Sequence, residues 1–152
     1  MVRRLALAGI CIAAAVCAAS AKGGAPSPTS RACPAASVVN AALGQHDGSP
    51  VATKTAYSKT CTYPGSSKLS SVSITFQEDS ASQFATDENA VAKTGLKIVK
   101  IHGLGQAAWT TGSGDLYLYD GREQIKIHAL VVGITSPSTA TAKVEALARK
   151  LL

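Results

Sequence analysis

The sequence predicts an α+β domain: an antiparallel sheet with N-terminal, central and C-terminal helices packed against it, held by one disulfide. Three observations predict it. Strand-like segments arrive in hairpin-linked groups between helical ones, where a parallel sheet would alternate strand and helix one by one. Leu69–Gln77 alternates well, with Val72, Ile74 and Phe76 on one side and Ser71, Ser73 and Thr75 on the other. Asp120-Gly121 between two apolar segments is a hairpin signal.

The N-terminus sets what belongs to the domain. Arg3 and Arg4 precede an apolar, uncharged run from Leu5 to Ala19, and Ala19-Ser20-Ala21 offers the small residues a signal peptidase reads. Residues 1–21 are therefore expected to be a secretory signal peptide. The apolar run is too short for a membrane span, which needs about 20 residues. Ile10 before Cys11 and Val16 before Cys17 are poor lipobox residues, so lipidation at Cys17 is the disfavoured alternative. The expected location is secreted or extracytoplasmic. Residues 22–32 are rich in Gly, Pro and Ser and lack large apolar side chains, which predicts a flexible linker. Residues 33–152 then form one domain.

Export changes the counts. Two arginines leave with the signal, so thirteen basic face nine acidic residues, and no basic run is longer than Arg149-Lys150. Such a thin surplus gives no footprint for nucleic acid. Cys11 and Cys17 leave as well, and Cys33 and Cys61 remain.

Within the domain, Pro34 suits the first turn of a helix over 34–43, with Val38, Val39, Ala42 and Leu43 at helical spacing and Gly44 as its left-handed stop. Val51–Tyr57 and Cys61–Tyr63 read as short strands, followed by the Pro64-Gly65 turn and a strand over Leu69–Gln77. Asp79 or Ser80 caps a helix whose expected buried stripe is Ala81, Phe84, Ala85, Val91 and Ala92, ended by Gly95. Leu96–Ile101, Ala107–Thr111, Asp115–Tyr119 and Gln124–Ile134 read as strands. Ser136-Pro137 opens the last helix, with Ala140, Val144, Leu147, Ala148 and Leu151 inside.

The two remaining thiols are best explained as a bridge. Activation of Cys61 as a nucleophile would need a helix N-terminus, a histidine or a cation, and only Lys59 is close in sequence. A zinc site would need about four ligands at paired spacing. A Cys33–Cys61 disulfide needs only an oxidising compartment, and closing its loop is worth about 3–4 kcal/mol in the chain-entropy model.

No catalytic set, metal site or cofactor motif follows from the other residues. His46-Asp47 reads as a loop pair, and His102 and His128 fall on separate predicted strands. No serine sits in a G-x-S-x-G elbow. Adjacent carboxylates in Glu78-Asp79 and Asp87-Glu88 diverge on a helix and read as caps and solvating groups. Gly103-Leu104-Gly105 lacks the remaining residues of a phosphate loop and reads as a turn. Trp109, Tyr117 and Tyr119 are the candidate binding face. Either the two tyrosines stand outside, opposite buried Leu116 and Leu118, as binding anchors, or a helix packs over them.

Cys33 before a short Ala/Val helix, Cys61-Thr62-Tyr63, Gly103-Leu104-Gly105-x-Ala107-Ala108 and the final strands and helix together resemble the DUF3558-like group of small exported proteins and lipoproteins of actinobacteria. The resemblance spans about residues 33–152. Gln106 stands where that group commonly has an acidic residue. Membership would imply the cysteine pairing and the α+β fold, and it carries no catalytic residues. The expected function is thus a non-catalytic binding domain for an unknown protein, peptide or envelope ligand. The alternatives are an inhibitor of a secreted enzyme and a hydrolase built on His46, His102 or His128.

Overall fold

A computed structural model of the 152-residue chain describes residues 27–45, 47–66, 70–130 and 136–152. The expected signal peptide and Cys17 lie outside the described residues, as does His46. The order is a 3-10 turn at Pro28–Ser30, then α1 (Ala36–Leu43), β1 (Val51–Lys54), β2 (Ser58–Pro64), β3 (Ser71–Glu78) and α2 (Ala81–Lys93). Next come β4 (Val99–Lys100), β5 (Ala107–Thr110), β6 (Asp115–Tyr119), β7 (Glu123–Leu130) and α3 (Pro137–Leu151). The strands form one seven-stranded antiparallel sheet in the order β1-β2-β3-β7-β6-β5-β4. The α+β architecture expected from the sequence is the one observed.

Most caps follow local chemistry. Gly44 takes φ 68° after α1, a conformation open to glycine at little cost. The Ser80 side chain accepts from the Gln83 amide at the start of α2, and Ser136 accepts from the Thr139 amide with Pro137 in the first turn of α3. Pro34 differs from expectation: the helix starts two residues later, with Ala35 at its N-cap.

Strand alternation divides the sheet into two faces. One carries Cys61, Tyr63, Val72, Ile74, Phe76, Leu116, Leu118, Ile125 and Ile127, all buried. Val39 and Leu43 of α1 and Val144, Leu147, Ala148 and Leu151 of α3 cover it. The Cys33–Cys61 disulfide is formed, with Cα atoms 5.7 Å apart. It joins the segment before α1 to the middle of β2. The Tyr63 hydroxyl donates to the Pro34 carbonyl at 2.7 Å beside it.

Three expectations are corrected. The described part of the expected linker is bound to the domain. Arg31 donates to Glu123 and to the Leu151 carbonyl, and its guanidinium lies 4.6 Å from the centre of the Phe76 ring. Lys59 holds the Arg31 carbonyl at 2.5 Å. The strand expected over Leu96–Ile101 shrinks to Val99–Lys100, because its edge position leaves it only β5 to pair with. On α2 the expected five-residue stripe reduces to one fully buried residue, Phe84, with Val91 partly buried and the three alanines exposed. The part of the last strand expected beyond Leu130 lies outside the described residues.

Candidate functional site

The second face of the sheet is covered only in part. By register, Ser73 and Thr75 of β3, Lys126 and His128 of β7, and Asp115 and Tyr117 of β6 stand together on it. They line a groove of about 480 Å³, with Leu96 from the segment after α2 also in its lining. Strand ladders flank β3, β7 and β6 on both sides, so the floor of this groove is rigid.

Asp115 is locked in place. The Thr111 hydroxyl lies 2.7 and 2.8 Å from its two carboxylate oxygens, and the Ser113 amide donates to it at 3.3 Å. Tyr117 lies next along the strand but one. Burial pushes its phenol pKa up, and the negative charges of Asp115 and Asp87 push the same way. Lys126 brings a cation to the same place, 3.9 Å from the Asp87 carboxylate of α2. The groove therefore presents a hydroxyl row, an exposed imidazole, an ammonium and one side of a tyrosine ring.

One row across it has the residue types of a hydrolytic triad. Ser73 is in register with His128, and His128 with Asp115. Directly opposed strand residues have Cβ atoms about 4.5–5.5 Å apart. Two features work against acyl transfer. The Asp115 carboxylate is held by Thr111 instead of orienting an imidazole. Ser73 lies in mid-strand between β2 and β7, where backbone amides are committed to the ladders and form no oxyanion hole.

Of the two arrangements left open for the candidate binding face Trp109, Tyr117 and Tyr119, the structure shows the roofed one. Tyr117 and Tyr119 do share a side opposite buried Leu116 and Leu118. Yet α2 roofs that side. Trp109 is 0 % exposed and Tyr119 7 %, with Phe84 of α2 stacked on Tyr119 at 5.8 Å between ring centres. Trp109 and Tyr117 stack at 3.8 Å. Tyr117 alone also lines the open groove.

The two described histidines, His102 and His128, do not gather. His102 sits in the turn at Ile101–Gly103 and lines a shallow pocket apart from the groove that holds His128. Among the described residues, no three His, Cys, Asp or Glu side chains converge as metal ligands. No helix among them is long and apolar enough to cross a membrane.

A second cleft, of about 570 Å³, lies at the end of the sheet where Arg31 crosses it. Glu78 and Glu123 oppose each other at the ends of β3 and β7, with Asp79, Asp120 and Arg122 around them. Arg31 sits over this acidic end and pairs with Glu123. Neither partner was marked by its local sequence: one lies in a Gly/Pro/Ser stretch and the other just after a turn. Only folding joins them.

Compared with protein-family models, curated proteins and solved structures, the chain matches none.

Proposed function

We propose that this chain is a non-catalytic binding domain that works outside the cytoplasmic membrane and takes its ligand in the groove at Tyr117, Lys126 and His128. The observation that carries the reading is the groove itself: a rigid floor with convergent polar groups and one aromatic side. The bridge between Cys33 and Cys61 supports an oxidising compartment, where such bonds persist. Kinship with the small exported actinobacterial proteins described above is part of the same proposal.

The test is a titration of the oxidised protein with soluble envelope fragments, glycan and peptide separately, followed by amide NMR. Shifts confined to the neighbourhood of Lys126 and His128, and lost in the Lys126→Glu/His128→Ala double variant, are expected. Shifts elsewhere that survive the double variant would sink the groove reading.

Hydrolysis is the second reading, drawn from the Ser73–His128–Asp115 row. Its test is turnover of an activated ester. Turnover lost in Ser73→Ala supports it, and turnover that is absent or insensitive to Ser73→Ala removes it.

A further inference from the structure

Beneath α2 the protein buries polar groups without partners. Gln124 is 0 % exposed, and neither its amide nitrogen nor its amide oxygen has a hydrogen-bond partner. The indole N–H of Trp109, also fully buried, has none either. Alternation along β7 puts Gln124 opposite the main core, in register with Tyr119. The orphaned groups therefore share a face with the Phe84–Tyr119 and Trp109–Tyr117 ring pairs.

A leucine at position 124 would remove this penalty, because an unmatched buried polar group opposes folding while an apolar one of similar size does not. A fully desolvated amide with Tyr119 beside it on one strand and Gln77 on the other is instead the kind of polar group that orients a ligand. The roof above it is weakly held. Phe84 is the only fully buried side chain of α2. The ion pairs Glu88–Lys100 and Asp87–Lys126 tie the helix to the sheet through partly exposed groups, which contribute little. Gly95 follows the helix at φ 86°, with open space around it. An element held by one buried ring, the partly buried Val91 and two such ion pairs opens more readily than the core.

We propose that α2 is a lid over an inner half of the groove, and that this inner half binds a saccharide ring. The inference rests on the groove reading, since Tyr117 belongs to both halves. A sugar ring has an apolar C–H face for Trp109, Tyr117 and Tyr119. Its hydroxyls both donate and accept at the ring edge, which is what the Gln124 amide and the Trp109 N–H lack. Lifting Phe84 off Tyr119 uncovers these groups together.

Trp109 is the chain's only tryptophan, so its fluorescence reports directly on the site. The oxidised protein is titrated with cellotriose, chitotriose and mannotriose. At least one is expected to change Trp109 emission saturably. Phe84→Ala, which frees the lid, is expected to tighten binding of that trisaccharide. Gln124→Leu is expected to raise the melting temperature while weakening binding about tenfold or more, from two lost hydrogen bonds. A purely structural Gln124 would not move affinity and stability in opposite directions. If a trisaccharide shifts the Lys126 and His128 amides but leaves Trp109 emission unchanged and is indifferent to Gln124→Leu, the lid inference falls and the groove reading stands. If no trisaccharide binds even Phe84→Ala, the inference also falls, and peptide fragments then decide the groove.

Discussion

The phenolic hydroxyl of Tyr63 donates to the carbonyl of Pro34 at 2.7 Å, next to the bridge from Cys33 to Cys61. The chain before α1 is thus fastened to β2 twice, once covalently and once by a part-buried hydrogen bond. The same burial raises the Tyr63 pKa to about 12.

Stability should therefore depend on alkaline pH. The unfolded phenol titrates near 10 and the folded one near 12, so the folded state holds its proton longer. The contribution is complete below pH 10 and is lost as pH rises towards 12, amounting to about 2–3 kcal/mol over that window. Urea denaturation between pH 9 and 11.5 checks it. Tyr63→Phe is expected to flatten the alkaline slope and to cost about 1 kcal/mol at neutral pH through the lost bond.

Removing the bridge releases the unfolded chain. The Cys33→Ala/Cys61→Ala protein is expected to lose about 2–4 kcal/mol. Denaturant midpoints of this variant and of wild type, with and without reductant, check it. Reductant should shift only the wild type.

Arg31→Ala should destabilise more than a surface substitution does. It leaves the Glu123 carboxylate, whose side chain is 8 % exposed, buried without its cation. Breaking such a pair from one side costs about 3–5 kcal/mol. Adding Glu123→Gln to Arg31→Ala is expected to return part of the loss, because the remaining group is neutral. Equal stability of the single and double variants would show that the charge is not what matters.

Gly105→Ala is expected to destabilise by about 1–3 kcal/mol or more. Gly105 has φ 59°, and an added Cβ would meet the Leu118 side chain and lie 2.7 Å from the Tyr119 carbonyl. The backbone carbonyl cannot rotate away, since the Gln106 amide donates to Tyr119 there. Thermal melting checks it, with Gly103→Ala as the comparison. Gly103 shares the positive φ but has open space around it, so its loss should be smaller.

Short-range patterns carried most of the elements. The Val72, Ile74, Phe76 alternation, the Ser80 and Ser136 caps and the Gly44 stop all depend on residues within one or two turns of each other. The sheet order did not follow from such patterns. The pairing of β3 with β7 closes a long excursion through α2, β4, β5 and β6, and no local residue marks it. The candidate site was legible only in pieces for the same reason. Tyr117 was picked out by its side chain, whereas Ser73, Lys126 and Asp115 became neighbours through strand register.

By itself, the sequence determined that there would be an α+β domain and that residues 33–152 hold two cysteines, because periodicity, capping and cysteine number are properties of the chain. Tertiary structure alone decided which side of the sheet α2 would roof, that Trp109 would be buried, and that Arg31 would reach Glu123. Those outcomes depend on which distant surfaces meet, and the free energy of burying them is shared across the whole fold instead of residing in any one segment.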